Sequence, residues 1–262
     1  MRYIDIPHPV TFPKHWEKVA ARRTLALAAI TTQSERSIFL RKKASWTKLK
    51  KWLAEFSNEK CWYCEAYCRR APLDVDHFRP KLAVTIDRVE LIDFDGYYWL
   101  AYQWWNFRIS CQRCNRFEDD ESNELRGKAN EFPLQDESKR CNSISQNITQ
   151  EIPKLLDPCV KADEGLLAHG LDGEVKPLAP GASWEYERAR YTIEILGFNS
   201  HSVPAYKREQ WQSLYLLIEL VGDVNEVKDQ LQKHLAPEHE YSSFFRSAIG
   251  THRNKAWIEG IL

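Results

Sequence analysis

The sequence predicts an α+β chain, mostly helical, in which a small metal-ordered module at 59–135 lies between N-terminal helices at 1–58 and a helical C-terminal region at 136–262. Three observations predict it. Trp46, Leu49, Trp52, Leu53 and Phe56 recur at helical spacing with Lys between them. From 61 to 134 the apolar runs are short, turn residues are frequent and cysteines cluster, which leaves room for few long elements. Beyond 184 the helical periods return.

Taken in order, 13–30 reads as a first helix, and the Trp46 stripe as an amphipathic helix that ends near Ser57-Asn58, just before Cys61. Residues 142–150, rich in Ser, Asn and Gln, read as a loop. Leu155-Leu156-Asp157-Pro158 and Leu171-Asp172-Gly173-Glu174-Val175 suggest short strands with an Asp-Gly turn. Helices follow at 184–196 and 204–235. In the second, Trp211, Leu214, Tyr215, Ile218, Val221, Val224, Val227, Leu231 and Leu235 form one stripe, for core or partner-helix packing. No internal repeat is apparent.

Composition narrows the class. With 43% hydrophobic and 28% charged residues over 262 positions, the chain can bury a sizeable core. Ten Trp, eleven Tyr and eleven Phe against one Met make that core aromatic and stiff. The 37 basic and 37 acidic residues cancel, so a polyanion must be met locally. Arg41-Lys42-Lys43 with Lys48, Lys50 and Lys51 is a local basic cluster; Glu118-Asp119-Asp120-Glu121 with Glu124 is an acidic one. Either can equally be a solvated face. The longest apolar stretch, 214–221, is interrupted by Glu219 and too short to span a bilayer, and no apolar signal opens the chain. A cytoplasmic protein with no membrane partner is expected.

Seven cysteines, an odd number in a chain this long, do not make a disulfide scaffold. Cys61-x-x-Cys64 and Cys111-x-x-Cys114 instead form two pairs, each able to present two thiolates on a tight turn toward one tetrahedral Zn²⁺. Four such ligands close the shell, so the zinc would be structural. A redox pair or accidental spacing are the competing readings of a single CxxC. Cys68 is a reserve ligand, and Cys141 and Cys159 read as ordinary thiols.

Between the pairs, Asp76 and His77 are adjacent. Neighbours on a strand point to opposite faces, so the strand must end or bulge there for both to serve one centre, and Pro80 favours an ending. Asn106 precedes Cys111, and Asn115 follows Cys114 at the expected start of a helix. A zinc tying the two turns can bring Asp76 and Asn115 onto one hard cation, Mg²⁺ or Mn²⁺.

At this point the chain resembles the HNH, or ββα-metal, nucleases, in the order CxxC, Asp-His, Asn, CxxC-Asn. It also resembles zinc-containing phage junction-resolving endonucleases. More specifically, Cys61-Trp-Tyr-Cys-Glu65, Val75-Asp-His-Phe-Arg-Pro-Lys81, Tyr97-Tyr-Trp-Leu-Ala-Tyr102, Cys111-Gln-Arg-Cys-Asn-Arg116 and Phe132-Pro-Leu134 are similar to the HNH subunits of Septu-type and retron-linked antiphage systems. Leu155-Leu-Asp-Pro-Cys159 and Thr192-Ile-Glu-Ile-Leu-Gly197 extend the likeness into the second half.

The resemblance implies His77 as general base, Asp76 and Asn115 as metal ligands, Asn106 as the residue that orients the His77 loop, and an ABC-type or SMC-like ATPase as partner. A neutral imidazole can deprotonate water while the metal stabilises the leaving 3′ oxygen. Arg79, Lys81, Arg113 and Arg116 flank these positions and can grip phosphates. DNA is expected ahead of tRNA or another RNA. One departure stands out: family members commonly follow Cys-Asn-Arg with a basic, Gly-containing turn, whereas here 117–121 is acidic before Arg126-Gly127-Lys128. That stretch can fold away, bind metal, shield the site or meet a basic partner. The alternative function is a non-catalytic zinc-ribbon or treble-clef binding module.

Overall fold

The first helix, α1 (Trp16–Ala28), turns Trp16, Ala20 and Leu27 inward, within the range expected for it. The computed structural model describes the chain except residues 7–12, 14, 93, 121–122, 201 and 220–223. A second helix, α2 (Gln33–Lys42), carries no apolar stripe and buries only Arg36 and Leu40. It starts on a capping box instead: Thr32 Oγ1 accepts the Glu35 N–H at 3.3 Å and donates to the Glu35 carboxylate at 2.8 Å. The Trp46 stripe begins as a 3₁₀ turn (Ser45–Leu49) and continues as α3 (Lys50–Glu55). Arg41, Lys42, Lys43, Lys48 and Lys51 are all exposed, and Trp46, Leu49, Trp52 and Leu53 are buried.

In the middle of the chain β1 (Asp74–His77) pairs antiparallel with β4 (Phe107–Ser110), placing Asp76 opposite Arg108 and His77 opposite Phe107. The interval holds a two-residue hairpin, β2 (Thr85–Ile86) with β3 (Val89–Glu90). After β4 comes a single helical turn, α4 (Gln112–Asn115). Asn115 therefore closes a helix and does not open one, contrary to the sequence expectation. The reason is a returning segment: Lys128 N–H and Ala129 N–H bond the Cys114 and Asn115 carbonyls, each at 2.8 Å, and end the helix there.

The acidic stretch folds into a hairpin, β5 (Glu118–Asp119) with β6 (Leu125–Arg126); Glu121 lies outside the described residues. Asp120 is buried and accepts from Arg126 Nε at 3.0 Å and Ser200 Oγ at 3.1 Å, and Arg126 also bonds Glu124. Gly127 follows with φ +99°, where a Cβ would lie 1.7 Å from the Arg116 carbonyl oxygen. Only glycine allows so close an approach to α4.

Residues 155–158 are not a strand. Leu155 and Leu156 are fully buried, and the Leu156 N–H bonds the Thr192 hydroxyl at 2.9 Å in place of a strand partner. After α5 (Lys161–Glu164), the hairpin at the Asp-Gly turn pairs β7 (Leu167–His169) with β8 (Val175–Pro177). The helix expected at 184–196 is α6 (Trp184–Leu196), opened by Ser183 Oγ on the Tyr186 N–H and closed by Gly197 at φ +61°. The long C-terminal stripe divides into α7 (Val203–Glu219) and α8 (Val224–Leu235), with Val221 outside the described residues. Then come α9 (Ser242–Gly250) and α10 (Ala256–Glu259).

One buried apolar cluster runs from Met1 to Phe198 through both CxxC turns, and a second from Trp211 to Ile258 joins α7, α8 and α9. Buried and half-buried ion pairs cross the first. Arg108 donates twice to Asp157, at 2.7 and 2.6 Å; Arg188 donates twice to Asp163, at 2.7 Å each; and Asp163 accepts the Asp157 N–H at 2.8 Å. Among the described residues no helix is long and apolar enough to cross a membrane.

Candidate active site

The Sγ atoms of Cys61, Cys64, Cys111 and Cys114 all lie within 4.8 Å of one another. A tetrahedral ion with Zn–S bonds of about 2.3 Å separates its sulfurs by roughly 3.8 Å. Cys64 and Cys111 are 3.8 Å apart. The four thiols can hold a metal ion such as zinc; Cys68 stands outside the set.

Local backbone presents them. Cys111 Sγ caps α4 by accepting the Cys114 N–H at 3.4 Å, and the Glu65 N–H bonds the Cys61 carbonyl at 3.0 Å, closing the first turn. Glu65 is left-handed, at φ +65°, an unfavourable place for a side chain. Its carboxylate compensates, taking the Met1 ammonium at 3.0 Å, the Ser242 hydroxyl at 3.2 Å and the Ser243 N–H at 3.1 Å. These contacts hold its pKa low despite burial and tie the first CxxC turn to α9.

The Trp62 N–H, inside that turn, bonds the Ile109 carbonyl of β4 at 2.9 Å, so the thiolate cluster and the β1–β4 pair are one unit. At the end of β1, a small cleft of 160 Å³ is lined by Val75, Asp76, His77, Pro80, Lys81, Asn115, Ala129 and Asn130. Residues remote in sequence meet there.

His77 is buried between Trp46 and Phe107, with ring centroids at 4.9 and 5.1 Å. Its Nε2 lies 3.0 Å from the Ala101 carbonyl, which requires the proton on Nε2 and leaves the Nδ1 lone pair toward Lys81 Nζ, 3.4 Å away. Burial, with the ammonium groups of Lys81 and Lys128, pushes its pKa well below the ordinary imidazole value. It is neutral at neutral pH. Burial lowers the Lys81 pKa to about 8.

Asp76 accepts from the Tyr63 hydroxyl at 2.8 Å on one oxygen and from Lys128 Nζ at 3.1 Å on the other. Each oxygen keeps a second lone pair. Asn115 donates Nδ2 to Asp74 at 3.2 Å, which leaves its amide oxygen uncommitted, and Arg116 grips the same Asp74 oxygen. An aspartate oxygen and an amide oxygen are hard donors of the kind Mg²⁺ and Mn²⁺ take. Asn106 is fully engaged with the loop after His77: Oδ1 accepts the Arg79 N–H at 2.9 Å and Nδ2 donates to the Arg79 carbonyl at 3.0 Å.

The basic residues expected near phosphate separate. Lys81 lines the cleft. Arg79 does not: its guanidinium is half-buried against Glu151 at 2.7 Å and lies over Phe132. Arg116 is paired with Asp74. Arg113 lines a different cavity, of 610 Å³, between the Cys64 side of the thiolate cluster and α7 and α9, with Lys207 and Tyr241. Sequence reasoning missed Tyr63, Asp74 and Lys128 as partners of the cleft. Position inside Cys61-Trp-Tyr-Cys64 was a signal for Tyr63; for Lys128 it was the glycine before it.

No protein-family model matches the chain. It is similar to Septu proteins. It is 38% identical over 112 residues to Septu protein PtuB of Bacillus mycoides (strain KBAB4), a match covering 42% of this chain and 35% of PtuB. Septu protein PtuA of the same organism is 23% identical over 151 residues, 58% of this chain and 19% of PtuA. The chain thus spans about a third of the one relative and about a fifth of the other.

Proposed function

We propose that the chain is an HNH-type endonuclease of a Septu-like antiphage system, hydrolysing phosphodiester bonds at the Asp76–His77–Asn115 cleft with Mg²⁺ or Mn²⁺. The observation that carries this reading is the single cleft in which a neutral imidazole, with Nε2 fixed on the Ala101 carbonyl, shares space with two oxygen donors, Asp76 and Asn115.

In this reading His77 Nδ1 takes the proton of the attacking water, and the Ala101 carbonyl holds the ring in the tautomer that can do so. Asp76 and Asn115 hold the divalent ion, which when bound supplies positive charge to the leaving 3′ oxygen. Lys81, at the cleft wall, steadies a phosphate beside His77. Asn106 keeps the 78–80 loop in place. The tetrathiolate site holds zinc and sets the distance between β1 and α4 without touching substrate.

Exposed Arg41, Lys42, Lys43, Lys48 and Lys51 stand on the segments leading into and out of the 3₁₀ turn that sets Trp46 edge-on to His77. In this reading they offer a local basic surface on a molecule of zero net charge. The likeness to both PtuA and PtuB supports a partner from the same system; in this reading that partner is an ATPase, which would complete nucleic-acid capture.

The test is cleavage of labelled duplex DNA, single-stranded DNA and tRNA in separate reactions with Mg²⁺, with and without the neighbouring ATPase. His77→Ala should lose at least about 10²-fold in rate while keeping its zinc and its circular-dichroism spectrum. Equal cleavage by the variant would refute the base assignment, and nucleic-acid binding without cleavage under every condition would point to a binding module.

A further inference from the structure

Lys128 brings a whole positive charge, with no exposed surface, onto the carboxylate that the nuclease reading makes a metal ligand. Its ammonium lies 3.1 Å from Asp76 Oδ1, 2.9 Å from the His77 carbonyl and 3.4 Å from the Ala129 carbonyl. Those three acceptors match its three N–H groups. It is fixed from behind as well, through the Lys128 N–H on the Cys114 carbonyl and through Gly127, whose place no other residue fits. A surface lysine would swing away; this one is built in.

It is also inaccessible, so it does not grip substrate as Lys81 can. Other cations flank β1: Arg108, opposite Asp76 in register, is neutralised by two bonds to Asp157; Arg116 is paired with Asp74; and Lys81 stands 3.4 Å from His77 Nδ1, near enough to act on Asp76. The ammonium hydrogen-bonded to the Asp76 carboxylate is that of Lys128.

Resting on the metal-dependent reading, we propose that Lys128 is a permanent counter-ion of Asp76 that keeps the divalent site weak in the free protein, so that the ion is held firmly only when a substrate phosphate adds its negative charge. A divalent ion held by Asp76 would share that carboxylate with the ammonium. At an effective dielectric near 20, such like-charge repulsion weakens binding by tenfold or more. A phosphodiester oxygen reaching the same ion offsets it.

The experiment is Mn²⁺ titration of the zinc-loaded chain at pH 8, followed by electron paramagnetic resonance of free Mn²⁺, on wild type, K128M, K128Q and D76N. Both Lys128 variants should bind Mn²⁺ at least about tenfold more tightly than wild type, and adding D76N should remove the gain. Dimethyl phosphate, the simplest phosphodiester anion, should tighten Mn²⁺ binding in wild type and do so less in K128M. Unchanged or weaker Mn²⁺ affinity in the folded Lys128 variants overturns the inference and leaves the nuclease reading standing, as does equal tightening by dimethyl phosphate in both. Identical Mn²⁺ binding by wild type and D76N overturns both. If neither K128M nor K128Q folds, the ammonium is a structural requirement and the inference fails.

Discussion

Removing the metal from the four-cysteine site should cost the chain much of its stability, and the size can be worked from the geometry. The four sulfurs lie within 4.8 Å of one another, and Cys61, Cys111 and Cys114 lie in the same buried cluster as Trp62, Tyr63, Phe107 and Ile109. They are not a detachable lobe. Structural zinc binds peptides with about 10–16 kcal/mol of apparent free energy, against a total domain stability of about 5–15 kcal/mol. If only a third of the binding energy reached the fold, about 4 kcal/mol, Tm would fall by roughly 10 °C for a chain of this size. The assay is calorimetry before and after a high-affinity chelator, with elemental analysis for about one zinc per chain. Cys111→Ser should behave like the stripped protein, since it loses a ligand while its hydroxyl can still cap α4. Cys68→Ser should keep its zinc. A stripped chain that melts within about 2 °C of the native one would refute the reasoning.

Other outcomes follow from single contacts. Lys81 loses its proton as pH rises through about 8, so the KM for nucleic acid should climb above that pH in wild type, while Lys81→Arg stays level. Because His77 is held neutral well below the ordinary imidazole value, the rate should stay flat as pH falls through about 6.5; a drop centred there would contradict the burial argument. Gly127→Ala should destabilise by more than about 2 kcal/mol, since its Cβ meets a backbone oxygen, measured by urea unfolding. Burial lowers the His169 pKa to about 3. It therefore stays neutral in the fold while the unfolded chain takes up a proton below about 6.5. Stability should fall from pH 6.5 toward 3, and urea midpoints at pH 7 and 5 should differ less in His169→Gln.

Local chemistry was readable where each residue's partner was close in sequence. Ser183 and Gly197 bracket α6 with ordinary cap residues, and the two CxxC spacings announced the thiolate cluster before any fold was known. Helix α2 was hidden because its apolar residues, Ile38-Phe39-Leu40, are consecutive and make no helically spaced stripe, and its start depends on a two-residue cap. Leu155 and Leu156 looked like a strand because both are apolar, yet the Leu156 N–H is taken by a threonine side chain and not by a ladder. Arg79, expected beside phosphate, is turned away from the cleft for a long-range reason: its guanidinium pairs with Glu151. Likewise, nothing near Asp76 in sequence announces that its counter-charge comes from Lys128. Adjacency of Asp76 and His77 was legible; the charge environment around them was set by chain return.

The linked pairs Arg108–Asp157 and Asp163–Arg188 connect β4, the strand facing Asp76, to α6 on the far side of the first core. Bidentate contacts of this kind resist bending, because any shear must break two bonds at once in a low-dielectric surrounding. The strand that faces Asp76 is thereby braced against the helix that leads toward α7. Under the nuclease proposal, a regulator seated on the C-terminal helices would gain little by flexing this brace, and would act by admitting or withholding nucleic acid and ion.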